Sequence, residues 1–301
     1  MSHTFIPVNR WLPNVCQIAY DAGQLISQYY HQEEAVGVEK KSDGSPVTEA
    51  DQAADDFICQ ALTALTPNIP LVTEESVSKV PFSERQAWST YWLVDPLDGT
   101  KEFIAKTGEY SVNIALIHNH RPVLGVVYGT ELGNMYFATQ KCDGITQSTV
   151  GKFENLMPSK VALEFDWNAM IQDANPISVA KLPLHTANGH AEAFRVAVSR
   201  RHGGALDHFM GQLGHATQVQ MGSALKTCLV AEGKADIYPR FGPTSLWDTG
   251  AAQCILEVAG GAVLNAAGHS LQYVQTESLL NPFFIAVGDA NYHWPKFPEI
   301  I

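Results

Sequence analysis

Residues 92–103 read WLVDPLDGTKEF. An apolar run with strand composition ends in Asp95, and Pro96, Leu97, Asp98, Gly99 and Thr100 follow before a predicted helix start. A strand end sets these groups at the rim of a sheet. Pro96 fixes its own φ and Gly99 permits a positive one, so the turn can aim two carboxylates and a backbone carbonyl at one point. Oxygen donors of that kind suit magnesium. Taken alone, the same string also describes a turn whose aspartates only bond local amides. A calcium loop fits poorly, because an EF-hand needs Glu at its twelfth position and counting from Asp95 reaches Lys106.

On the N-terminal side, Val15, Ile18, Ala19, Ala22, Leu25, Ile26 and Tyr29 recur at helical spacing, as do Ala50, Ala53, Ala54, Phe57, Ile58, Ala61, Leu62 and Leu65. Two amphipathic helices therefore open the chain, with a turn at Asp43-Gly44 and Ser45-Pro46 between them. After Pro67 and Pro70, short apolar runs (LVTEE, YWLVDP, SVNIALI, PVLGVVYG, NMYFAT) read as strands. Residues 151–194 are rich in turn formers and read as a connector or insertion. Strand-like FRVAVS, TQVQM, ADIYP, GAVLN and FFIAVGD follow, separated by helical stretches near 205–213, 223–232 and 249–259. The fold class is α/β, in the layered α+β sense.

Three other segments carry acids where elements meet. LVTEES puts Glu74 and Glu75 at a strand end, and SLWDTGAAQCILEVAGG puts Asp248 where a helix begins. The glutamates could equally be solvated loop charges, and Asp248 a simple helix cap. In SPVTEADQAADDF, Thr48 and Asp51 have capping-box spacing. An Asp at that helix start could instead orient a hydroxyl such as that of Thr100; spacing leaves both readings open.

Together these four segments resemble the inositol monophosphatase superfamily of magnesium-dependent, lithium-sensitive phosphatases, through its Glu-Glu, Asp-Pro-(Ile/Leu)-Asp-Gly-Thr and Trp-Asp-x-(Ala/Gly)-(Ala/Gly) signatures. The resemblance spans nearly the whole chain. YWLVDPLDGTKEFI, MGSALKTCLVAEGKADIYPRFGPTSLWDT and ESLLNPFF are most similar to its CysQ type of 3'(2'),5'-bisphosphate nucleotidase. The resemblance implies a layered αβαβα sugar-phosphatase fold, with two or more Mg2+ per active site. One ion would be held by Glu74, Asp95 and the Leu97 carbonyl, another by Asp95, Asp98 and Asp248. Two such ions clamp attacking and leaving oxygens and acidify a bound water, which Thr100, oriented by Asp51, would aim at phosphorus with Glu74 in attendance. The helix starts at Asp248 and at Asp98, Gly99 and Thr100 would add amide donors for the phosphate.

Specificity needs other groups. Between residues 195 and 240 there are six basic residues, Arg195, Arg200, Arg201, Lys226, Lys234 and Arg240, against three acids, and a substrate with a second phosphate needs such charge. Without the resemblance, these are equally well exposed solubilising residues. By resemblance, VSRRH and GSALK hold the non-reacting phosphate and nucleoside, which nominates Ser199, His202, Ser223, Lys226 and Arg240. The implied organisation is an N-terminal half, 1–150, with most metal ligands; the 151–194 connector; and a C-terminal half, 195–301, with Asp248 and the substrate pocket.

Composition limits the alternatives. The net charge of -12 over 301 residues argues against nucleic-acid polymers and anionic membranes. Five cysteines without a Cys-x-x-Cys pair argue against zinc or redox chemistry and suit a reducing compartment. No segment reaches a membrane-spanning length of apolar residues, and the N-terminus lacks the features of a signal peptide. The expected location is cytoplasmic, with loose association at the cytoplasmic face of the inner membrane left open; oligomeric state is not addressed. Neither a Walker loop nor a dinucleotide fingerprint is present. The leading expectation is hydrolysis of 3'-phosphoadenosine 5'-phosphate to AMP and phosphate. The alternatives are an inositol or sugar phosphate substrate for the same chemistry, or a magnesium-dependent binding or regulatory protein.

Overall fold

The computed structural model describes residues 6–32, 38–40, 46–142, 147–159, 163–182, 193–200 and 203–298. Helix α1 (Val8–Tyr30) buries the stripe Val15, Ile18, Ala19, Ala22 and Ile26. After the short antiparallel pair β1 (Val38–Lys40) and β2 (Pro46–Thr48), helix α2 (Glu49–Leu65) buries Ala50, Ala54, Ile58 and Leu62, one residue per turn. The two helices pack together on one face of a six-stranded sheet, where each fully buried Leu or Ile contributes about 1.5–3 kcal/mol.

That sheet contains β3 (Leu71–Thr73), then, after a short helix α3 (Phe82–Arg85), β4 (Thr90–Asp98). Helix α4 (Thr100–Ile104) leads into β5 (Ser111–His118), β6 (Arg121–Gly129), β7 (Asn134–Thr139) and β8 (Thr149–Phe153). Spatial order follows sequence order; β3 and β4 are parallel and the remaining pairs antiparallel. Two expectations change here. The connector is not featureless, because residues 151–153 belong to β8 and α5 (Trp167–Gln172) packs on α1, its Trp167 indole donating to the Gln17 side chain at 2.6 Å. Nor does β4 stop at Asp95: pairing with β5 resumes at Asp98 opposite Ser111 after an irregularity.

The second sheet takes β9 (Phe194–Val198), β10 (Ala216–Gln220), β11 (Ile237–Arg240), β12 (Ala262–Asn265) and β13 (Phe284–Val287), in the order β10-β9-β11-β13-β12. Helix α6 (Gly204–Gln212) covers its outer face. Helices α7 (Leu225–Ala231) and α8 (Gly250–Val258) form the middle layer, packed between the two sheets. α8 approaches so closely that a Cβ on Gly125 of β6 would lie 2.3 Å from the Ala251 carbonyl oxygen. The result is an αβαβα stack whose middle helices both begin near the sheet end where β4 stops: the Ala224 amide before α7 bonds Asp98, and Asp248 before α8 lies beside it.

Candidate active site

The irregular end of β4 is held by its own side chains. Asp95 is buried, and its Oδ1 accepts from the Leu97 amide at 3.1 Å, closing a local turn inside the strand. The break in register is a bulge, which re-aims the residues after it. Gly99 follows at φ 97°, a conformation natural to glycine, and turns the chain into α4.

Asp98 points into the space between the sheets. Its Oδ2 accepts from the Ala224 amide at 2.5 Å, just before α7, and from the Asn113 side chain at 3.2 Å. Asp248 ends a single 3-10 turn, Leu246–Asp248, and its Oδ2 accepts from the Ser245 amide at 2.9 Å. It therefore closes a capping box with Ser245, whereas Thr249 is the N-cap of α8. One carboxylate oxygen from each of Asp95, Asp98 and Asp248 lies within 4.8 Å of the others.

Burial raises the proton affinity of both Asp98 and Asp248, and the neighbouring carboxylates, Glu74 among them, raise it further. For Asp98 the nearby Lys226 ammonium and its two hydrogen bonds oppose that rise. A set of hard oxygens crowded until they repel is matched to a small divalent cation, whose charge removes the repulsion.

Glu74 joins this set through the parallel β3–β4 pairing, which its amide extends by donating to the Val94 carbonyl at 3.1 Å. The neighbouring Glu75 carboxylate instead accepts from Gln52 at 3.0 Å. Only Glu74 of the two lines the cleft. Asp51 does both things that spacing left open. Its Oδ2 accepts from the Thr48 amide at 2.8 Å and from the Thr48 hydroxyl, while its Oδ1 accepts from the Thr100 hydroxyl at 3.0 Å.

The cleft is about 450 Å³. Glu74, Asp98, Glu102 and Asp248 are its acids, Lys101, Arg200, Lys226 and Arg240 its cationic groups, and Ser199 and Ser223 line it as well. Lys226 is buried, which pushes its ammonium down to about 8 against the pull of Asp98; Nζ donates to the Ser223 carbonyl at 2.6 Å. Ser223 itself has φ 51°, a left-handed backbone unusual for serine. Asp95 and Leu97 are buried and do not line the cleft. His202 lies outside the described residues.

The model of the inositol monophosphatase family matches residues 9–291. The chain belongs to that family. Metal binding is characteristic of inositol monophosphatase family proteins. The 3'(2'),5'-bisphosphate nucleotidase CysQ of Salmonella typhimurium is 42% identical over 274 residues, 91% of this chain and 98% of that protein. The protein of the same name from Aggregatibacter actinomycetemcomitans is 35% identical over 95% of each chain. Among solved structures, CysQ from Bacteroides thetaiotaomicron superposes with TM-score 0.75 at 33% identity, covering 95% of this chain and 99% of that one.

Within this inositol monophosphatase family fold, the expected basic patch is smaller than residue counting implied. Arg195 lies at the opposite end of β9 from Ser199, pairs with buried Asp236 at 2.5 Å and does not line the cleft; Lys234 pairs with Glu232 at 3.2 Å. Both are structural partners of acids, which counting charges along the chain could not reveal. Sequence reasoning also missed cleft residues Tyr238 and Thr244, and the supporting Asn113. Tyr238 reads as a core residue of ADIYP, and nothing in spacing marks the other two. Among the described residues, no helix is long and apolar enough to cross a membrane.

Proposed function

We propose that this protein hydrolyses 3'-phosphoadenosine 5'-phosphate to AMP and phosphate, with magnesium as its cation. The observation that carries the reading is that three aspartate carboxylates converge within 4.8 Å, two of them, Asp98 and Asp248, on the wall of a cleft that Arg200, Lys226 and Arg240 also line. A monophosphate ester needs only the acidic part; a bisphosphate uses both. Relatives named 3'(2'),5'-bisphosphate nucleotidase match at 35–42% identity over more than nine-tenths of the chain, which supports the same choice.

Asp95, Asp98 and Asp248 would hold one cation, and Glu74, Asp95 and the Leu97 carbonyl another. Divalent cations supply Lewis acidity to phosphate oxygens and lower the pKa of coordinated water. The chain's own residues provide orientation. With the Thr100 proton directed to Asp51, the hydroxyl oxygen keeps lone pairs to accept a hydrogen bond from water, and the Asp51–Thr48 contacts stop the pair from rotating. Ser199, Arg200, Lys226 and Arg240 offer donors and charge to the phosphate that does not react. Buried thiols at Cys16, Cys228 and Cys254, none in a disulfide, support a cytoplasmic location.

The test is phosphate release from 3'-phosphoadenosine 5'-phosphate, inositol 1-phosphate and fructose 1,6-bisphosphate, with magnesium or with chelator, compared as kcat/KM. Magnesium-dependent preference for the nucleotide is expected. Preference for inositol 1-phosphate or the sugar bisphosphate would keep the chemistry and discard the substrate, and nucleotide binding without release would favour a binding protein.

A further inference from the structure

Glu109 lies just before β5 of the six-stranded sheet, and Arg200 just after β9 of the five-stranded sheet. Their side chains meet at 2.5 Å, Arg200 Nη2 to Glu109 Oε1. The partners are unequal. The Arg200 side chain is 46% exposed and lines the cleft; that of Glu109 is 14% exposed and does not. Glu109 Oε2 is buried without a hydrogen-bond partner. The Glu109 backbone is packed against the segment before α7, where a Cβ on Gly222 would lie 2.3 Å from its carbonyl oxygen.

A carboxylate oxygen buried without a partner costs stability, and an ion pair to a half-exposed arginine returns little. Stabilisation is therefore a poor account of this pair. Orientation is a better one. A long arginine at a strand end is otherwise free to sample many rotamers, and a mostly buried carboxylate bonded to it restricts that freedom before substrate arrives. The Glu109 contact is the one hydrogen bond of the Arg200 guanidinium among the described residues, so further donors of its planar fork stay available.

The geometry points to Glu109 as a positioning residue that holds Arg200 over the cleft to receive the non-reacting phosphate, and so sets the preference for bisphosphorylated over monophosphorylated substrates. This inference rests on the bisphosphate reading above.

The experiment compares adenosine 3',5'-bisphosphate with adenosine 3'-phosphate, the same reacting ester without the remote phosphate. Wild type, Glu109→Ala, Glu109→Gln, Arg200→Ala and the two corresponding double variants are assayed, each checked for folding by circular dichroism. Glu109→Ala is expected to raise KM for the bisphosphate about tenfold, with kcat changing by less than about twofold, and to lower the preference ratio in kcat/KM accordingly. Glu109→Gln, which keeps an acceptor but loses the charge, is expected to shift that ratio about threefold. Both effects should vanish in the Arg200→Ala background, because each double variant removes one shared contact. Equal losses on the two substrates, additive losses in the double variants, or no shift with Glu109→Ala or Glu109→Gln would overturn the positioning role. If Glu109→Ala does not fold, the Glu109→Gln cycle distinguishes the same outcomes. Wild-type protein without preference for the bisphosphate would overturn the substrate reading instead.

Discussion

The carboxylates at and behind the cleft wall and the cationic groups of the cleft are built differently. Asp95, Asp98, Asp248 and Asp51 each accept a hydrogen bond from a main-chain amide, those of Leu97, Ala224, Ser245 and Thr48. Amides within packed elements do not change rotamer, so the carboxylates are set before any ligand arrives. The cationic side hangs on long side chains. Arg240 donates to the Pro243 carbonyl from one Nη while its Nε is buried without a partner, and Arg200 is half exposed. Lys226 is the exception, buried and tied to Ser223. The carboxylates are anchored to main-chain amides, whereas Arg200, Lys226 and Arg240 are each held through a side-chain contact, to Glu109, Ser223 and Pro243.

Breaking the acidic part should have the largest effect. Asp98→Asn keeps the shape and an acceptor for Ala224 but removes a charge, and is expected to lower kcat/KM about a thousandfold in phosphate-release assays, with thermal unfolding near that of wild type. An active variant would separate the carboxylate cluster from the reaction. Thr100→Val cuts the Asp51 connection while leaving the acids in place. A fall in kcat of about a hundredfold with little change in KM is expected from steady-state kinetics; a KM effect alone would make Thr100 a binding group.

On the basic side, Lys226→Met conserves much of the volume and removes the ammonium. KM for the bisphosphate should rise about tenfold, and less for adenosine 3'-phosphate. Equal effects on the two would assign Lys226 to support of Asp98 instead. The smallest functional change belongs to Arg195→Ala, since that guanidinium serves buried Asp236 away from the cleft. Its kcat/KM should stay within about twofold, while urea denaturation records a loss of about 2–3 kcal/mol from the unpaired acid. A large kinetic effect would return Arg195 to the pocket.

Much of this arrangement is legible along the chain because its signals are local. The strands LVTEE and SVNIALI, the capping-box spacing of Thr48 and Asp51, and the positive φ required at Gly99 each depend on a few consecutive residues. The length of β4 is not legible in the same way, because Asp95-Pro96-Leu97 has the composition of a turn. The strand absorbs it as a bulge, since Asp98 regains pairing with Ser111. The connector hides its elements for a related reason. The residues of β8 acquire strand geometry by adding to the edge formed by β7, and α5 by packing on α1, so neither needs a strong local period.

Sequence by itself determined an α/β set of elements and the positions of the acids at element ends; resemblance to a known family implied the αβαβα layering and the carboxylates to single out. Tertiary structure decided which groups share a space. The Ala224 amide reaches Asp98 across 126 residues of chain, and Thr100 reaches Asp51 across 49. It also decided that Asp51 serves the helix cap with one oxygen and Thr100 with the other, that Glu74 rather than Glu75 faces the cleft, and that Arg195 does not. Spacing along a chain reports neighbours within a turn or a strand; which side chains meet across two sheets depends on how the helices between them pack.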